Sequence, residues 1–163
     1  MTDLNESCGQ QVPDRGLNWY LSQYGISHQN PTNKKIHYIC VPVILFTIAG
    51  LLFEIKLPFA AMDMSLIAMI LSSLYYLRLS FILAFSMMLI FALVYLGLMN
   101  LGQHLPIAAW QFHIILFVLA WIGQFIGHKI EGQKPSFFED LQFLLIGPAW
   151  LLSFIYKKIG IRY

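Results

Sequence analysis

Residues 38–55 read YICVPVILFTIAGLLFEI, an apolar run whose one charge is Glu54. Its length approaches the roughly 20 residues that carry a helix across the hydrocarbon core of a bilayer. Three further runs of the same kind follow, so the predicted spans are Tyr38–Leu57, Pro58–Leu77, Leu79–Leu101 and Pro106–Gly127. The junctions are short: Lys56 to Pro58, Arg78, and Asn100 to His104. Short junctions predict antiparallel hairpins. Composition agrees, with 58% hydrophobic and 11% charged residues and a mean hydropathy of +0.67. A soluble domain is nearer a quarter charged. The chain therefore expects a lipid bilayer as its surroundings. Its net charge of +2 is too small to suggest nucleic acid as a partner.

The flanks are shorter and more polar. Residues 1–16 read as a mobile tail, with no signal peptide or lipidation signal at either end. Residues 17–27, LNWYLSQYGIS, predict an interfacial helix, the depth that Trp and Tyr favour. Asn30-Pro31 reads as a helix start, Asn as the cap and Pro in the first turn. Pro42 predicts a kink in the first span. Asp63, near the start of the second span, reads as an interface residue. Ser136-Phe137-Phe138-Glu139 has the spacing of a capping box. The apolar stretch Leu141–Tyr156 behind it is interrupted by Gly147-Pro148, and is expected to be re-entrant or interfacial. Cys8 and Cys40 offer no metal or disulfide pattern and read as ordinary small residues. The fold class expected is all-α: a multi-pass membrane helical bundle of about four transmembrane helices with one peripheral helix at each end. Residues 17–163 form its single membrane-embedded domain.

Charge sets the orientation. The side holding residue 30 also holds Arg15, Lys34, Lys35, Arg78, Lys129 and Lys134, while Lys56 alone falls opposite. Positive charge marks the cytoplasmic side. The five histidines sort by the same topology. His28 and His37 precede the first span, and His128 follows the fourth. An even number of crossings brings these three to the cytoplasmic face. His104 lies in the opposite loop. His113 is 15 residues before His128 on one predicted helix, about 22 Å away at 1.5 Å per residue. Those two read as an interfacial polar residue and a packing histidine.

Local spacing adds supports. Asn33 and His37 are four apart, and Trp121, Gln124, His128 and Glu131 follow at steps of three, four and three. Each set shares one helix face. Polar residues aligned on an apolar helix point into the bundle and not at lipid. Neutral imidazole suits Fe, Zn, Cu or Ni. Asn33, Gln124 and Glu131 are placed to orient the rings, because a ligating imidazole needs a partner for its other nitrogen. The plainer reading of the histidines is wet helix ends. The plainer reading of Gly123-xxx-Gly127 is close helix packing.

At these residues the chain resembles the fungal 2-hydroxy fatty acid dioxygenases of phytosphingosine breakdown and their bacterial relatives. The matching pieces are Trp19-Tyr20, Tyr24 through His28, the run His28-Gln29-Asn30-Pro31-Thr32-Asn33-Lys34-Lys35-Ile36-His37 with Val41-Pro42, then Trp121-xx-Gln124-Phe125-Ile126-Gly127-His128 with Glu131 and Pro135. Gly147-Pro148 is similar to the family's late proline element. The spans between match only in being apolar. The resemblance implies an Fe(II)-dependent membrane oxidoreductase that shortens a 2-hydroxy fatty acid by one carbon with O2, an α-oxidation. It implies histidines as iron ligands, a role carried by position to His28, His37 and His128. The family pattern has room for a fourth histidine, for which the chain offers His104 or His113. A 2-hydroxycarboxylate can chelate a metal through its carboxylate and hydroxyl, while its acyl tail runs between helices or into lipid. Lys34, Lys35 or Lys129 could attract the carboxylate, though the plainer reading of all three is solvated interface lysines. The membrane is the inner membrane in a bacterium, or the endoplasmic reticulum in a eukaryote.

Three other classes compete. A lipid-binding or transport protein with a non-catalytic polar site would show flux without a metal requirement. A diiron histidine-box enzyme needs about eight histidines in HxxxH and HxxHH boxes, and this chain has five and neither box. A bis-histidine haem protein would declare itself in its absorption spectrum.

Overall fold

The computed structural model describes residues 16–58, 62–132 and 143–162. Six α-helices lie among them: α1 (Leu17–Ile26), α2 (Pro31–Phe53), α3 (Met64–Leu79), α4 (Phe81–Leu101), α5 (Ala109–Glu131) and α6 (Ile146–Ile159). A 3₁₀ turn, Gly102–His104, joins α4 to α5. The described residues form no β-strand; their one extended pairing is an isolated bridge between Lys56 and Asp63. The expected tail and the capping box at Ser136–Glu139 lie outside the described residues, as do Arg15, Lys134 and Pro135.

Among the described residues three helices are long and apolar enough to cross a membrane: α2, α5, and α4 with its 3₁₀ extension. The second predicted span is shorter and starts later. At 16 residues, α3 is about 24 Å long against a core of about 30 Å. The reason is local. Asp63 caps α3, accepting from the Leu66 amide at 3.1 Å and the Ser65 hydroxyl at 2.5 Å. The chain before it turns back, and the Met64 amide donates to the Ile55 carbonyl at 3.0 Å.

The other boundaries follow the caps. The Asn30 side chain accepts from the Thr32 amide at 2.8 Å, with Pro31 in the first turn of α2. The helix then continues through Pro42 without a break. Ser80 ends α3 and caps α4, making a tight antiparallel hairpin. Gly132, at φ 76°, ends α5 in the left-handed region that glycine tolerates. In α6 the Gly147-Pro148 pair stands in the first turn, so it opens the helix instead of interrupting it. Amides of the first turn have no intrahelical acceptor, and proline loses nothing there.

α2 and α5 run antiparallel in the closest pairing of the fold. His37 meets His128 at one end, and Gly50 meets the His113 ring at the other. Small residues bring the backbones together. A Cβ on Gly123 would stand 2.6 Å from Cys40 Sγ, and one on Gly127 would stand 2.3 Å from Asn33 Oδ1. Close approach through small residues is how helices associate when lipid is the alternative contact. At 14 residues α6 is about 21 Å long. It packs on α1, Trp150 against Tyr24 with ring centroids 5.2 Å apart, beside the histidine end of the bundle. The outer faces of α3, α4 and α5 carry exposed Leu71, Phe85, Leu93, Leu119 and Ile126. Such continuous apolar surface suits lipid, not water.

Asp63 holds the end of the bundle away from the histidines. Besides Ser65 and Leu66 it takes the Tyr95 hydroxyl at 2.9 Å and the Lys56 ammonium at 3.5 Å. Burial alone would raise its carboxyl, but these four donors outweigh burial and hold it below its usual range. A depressed carboxyl stabilises the fold above its unfolded value of about 4, and that contribution fades as pH falls through the folded value. Asp63→Asn is therefore expected to lower stability by about 2 kcal/mol at pH 7. The wild-type advantage should shrink as the pH drops below about 4. Thermal unfolding in detergent across that range measures it; a pH-independent difference would contradict the account.

Candidate metal centre

His28 lies in the link between α1 and α2, His37 in the second turn of α2, and His128 in the last turn of α5. All three are buried, at 2%, 1% and 5% exposure. The cytoplasmic or external face of a membrane usually wets such ends, so burial here sets aside the plainer reading of solvated interface histidines.

The hydrogen bonds fix how two of the rings face. His28 Nδ1 is 2.6 Å from the Tyr24 carbonyl oxygen, and His37 Nδ1 is 3.0 Å from the Asn33 carbonyl oxygen. A carbonyl only accepts, so in each ring Nδ1 carries the proton and donates it. Nε2 is then a lone pair in both neutral rings. These two Nε2 atoms face each other at 2.9 Å in a buried site. Two neutral rings in that arrangement are reconciled by a proton shared between the two nitrogens or by a metal ion beside them. A shared proton would serve two imidazoles. Here a third converges: the His128 centroid lies 5.5 Å from that of His28 and 5.2 Å from that of His37. One ligand nitrogen from each ring lies within 4.8 Å of the other two. Three converging imidazoles, two of them with backbone-fixed tautomers, suit a borderline transition-metal ion.

The supports differ in what they touch. Glu131, at the end of α5, reaches across to the start of α2. Its Oε1 accepts from the Gln29 amide at 2.6 Å, and its Oε2 accepts from the Asn30 amide and the Asn33 side-chain amide, each at 2.9 Å. The carboxylate so joins the segment carrying His28 and His37 to the helix carrying His128. Asn33 contributes twice, its carbonyl orienting His37 and its side chain bonding Glu131. Asn33 Oδ1 has no hydrogen-bond donor, but faces the Gly127 backbone closely enough for a Cα–H contact. Gln124 is buried one turn before His128 without bonding the histidines, and its Oε1 has no hydrogen-bond partner.

Topology brings together the three histidines, Asn33 and Glu131, and leaves two histidines apart. His104 is exposed in the 3₁₀ turn. His113 is buried against Gly50 and Phe46 at the far end of α2. Two aromatic neighbours have no role in the sequence-based site. The Tyr24 ring stacks on His28 with centroids 4.2 Å apart and planes 12° apart. Trp150 stands 5.3 Å from His28. Tyr24 had a signal, being four residues before His28 on the α1 face. Trp150 had none, because α6 is distant in the chain.

A buried three-imidazole set that could hold a metal ion stands at one end of an apolar helical bundle, three of whose described helices are long enough to cross a membrane. Residues 15–159 match the family described as 2-hydroxy-palmitic acid dioxygenase Mpo1-like, and the chain belongs to that family. It is similar to the 2-hydroxy-palmitic acid dioxygenase MPO1 of Saccharomyces cerevisiae, with 30% identity over 144 residues that cover 86% of this chain and 79% of the relative. No solved structure matches the chain.

Proposed function

We propose that the chain is an Fe(II)-dependent dioxygenase that converts 2-hydroxy fatty acids, with O2, to fatty acids one carbon shorter. The observation that carries this reading is the convergence of three buried imidazoles, with the His28 and His37 Nε2 atoms 2.9 Å apart, in a chain of this family. Fe(II), held by His28, His37 and His128, would supply the electrons for O2 activation. Everything else is work for the protein. The Tyr24 and Asn33 carbonyls hold two rings in the ligating tautomer. Glu131 keeps the two helix ends together, and Asn33 ties Glu131 to His37. The packed rings of Tyr24 and Trp150 keep water from one side of His28. Lys34 and Lys35 precede His37 on α2 and Lys129 follows His128 on α5, so positive charge at this end would favour the approach of a carboxylate. By the positive-inside rule this end of the bundle faces the cytoplasm, with Lys56 at the other.

The test uses the full-length protein purified anaerobically in detergent. Elemental analysis is expected to find iron at about one atom per chain. With 2-hydroxyhexadecanoic acid, O2 uptake should match the appearance of pentadecanoic acid. A metal-free protein, or iron without chain-shortened product, would overturn the reading. A chelator should abolish turnover, and Fe(II) should restore it where Zn(II) does not.

A further inference from the structure

We infer that the apolar groove between α2, α4 and α6 takes the acyl chain of the substrate, and that Val41 and Gly147 form the constriction between that groove and the histidine site. The inference rests on the 2-hydroxy acid reading and adds where the tail goes.

The groove has a volume of about 430 Å³ and is walled by Val41, Leu45, Ile90, Pro148, Leu151 and Ile155. That size falls within the range of about 300–1,000 Å³ usual for small-molecule sites. A second apolar groove of about 580 Å³ lies between α3 and α4. It shares no residue with the histidine site or its neighbours, so size alone does not choose between them. Continuity does. A chamber of about 20 Å³ lies against Tyr24, Gln124, Val41 and Gly147. Tyr24 stacks on His28, and Gln124 lies one turn from His128. Val41 walls both the chamber and the large groove.

Helix geometry makes the same point. Val41 is four residues after His37, so the two share a face of α2. Along that face the chain passes from imidazole to apolar wall within one turn, the polarity sequence of a single-chain amphiphile. Where the groove meets the chamber, α6 closes on α2. A Cβ on Gly147 would stand 3.2 Å from Val41 Cγ1 and 3.3 Å from the Tyr24 hydroxyl oxygen. The absent side chain leaves the passage its width. The chamber has room for one water-sized group, and Gln124 Oε1 is a buried acceptor beside it with no donor. A hydroxyl on the chain's polar end would supply that donor. Lys158, exposed in the last turn of α6, lays its stem along the groove. Its ammonium seeks the headgroup level, which puts the groove mouth where a fatty acid enters from the bilayer.

The experiment is photolabelling of the full-length, iron-loaded protein in detergent with 2-hydroxyhexadecanoic acid carrying a diazirine near its methyl end. Labelled peptides are read by mass spectrometry. Labels at Leu45, Ile90, Leu151 or Ile155, displaced by unlabelled acid, support the groove. Labels confined to Leu74 and Met88 of the other groove, or to the outer face of α5, overturn it. A second measurement uses Ile155→Trp, at a position 53% exposed where added bulk meets no packed core. Its kcat/KM for 2-hydroxyhexadecanoic acid relative to 2-hydroxydecanoic acid should fall about tenfold, with iron content unchanged. An unchanged ratio overturns the groove. Specific labelling without turnover would keep the groove and remove the dioxygenase reading. Turnover with labels elsewhere would do the reverse.

Discussion

Replacing His37 with alanine is expected to abolish iron binding and to reduce turnover by at least about a hundredfold, while the bundle stays folded. His37 is the central ring of the cluster, with centroids 4.3 Å from His28 and 5.2 Å from His128. Its loss leaves two imidazoles, one of which no longer faces a second Nε2 at 2.9 Å. The helix itself does not need the ring. α2 is set by its Asn30 cap, by its apolar length and by packing on α5 through Gly123 and Gly127. Helicity and a single monodisperse species in detergent should therefore persist. His37→Gln keeps similar bulk and serves as the control for packing. Wild-type iron content and turnover in both variants would remove His37 from the site.

Glu131→Gln is expected to weaken iron binding by about 10–100-fold without touching a ligand. Glu131 is a positioning residue. Its carboxylate takes the amides of Gln29 and Asn30 and the side-chain amide of Asn33. All three are donors, so a carboxamide in its place must aim its own NH2 at one of them or lose contact. Position adds to the effect. Glu131 stands at the C-terminal end of α5, where the helix dipole disfavours a negative charge, and against the N-terminal end of α2, where the dipole favours it. The contacts to α2 offset the cost on its own helix, so losing them frees the two ends to part. His28 and His37 would then move relative to His128. Competition with a fluorescent chelator measures the affinity. The expected pattern is lost affinity with recovery of turnover at saturating Fe(II). Unchanged affinity would show that the hydrogen bonds do not position the ligands.

Much of this arrangement was legible in the order of residues. Asn33 and His37 are four apart, and Gln124, His128 and Glu131 follow helical spacing, so each helix presents its polar face without help from the fold. Counting apolar runs placed the ends of the first and last spans on one side. Three described helices reach spanning length and α3 is shorter, yet the ends of α2 and α5 that carry His37 and His128 do meet. The reading of Gly147-Pro148 as an interruption did not survive. Proline has the same local chemistry in a break as in a first turn, and only the position of the preceding cap tells them apart. The aromatic wall of Trp150 was illegible for another reason. No local spacing relates residue 150 to residue 28.

What the sequence by itself determined is the class of molecule and which histidines share one end of it. Apolar length forces helices to bury or face lipid, because an unpaired backbone amide in hydrocarbon costs several kcal/mol. Histidines placed at the helix ends meet wherever those ends meet. What only the tertiary structure decided is that the two Nε2 atoms stand 2.9 Å apart. Both rings turn that way because their Nδ1 atoms are held by carbonyls of Tyr24 and Asn33, one turn earlier in each case. Glu131 then sets the approach of the third ring from a helix nearly a hundred residues away. Spacing along a helix is a property of the chain, whereas distance between helices is a property of how their surfaces pack.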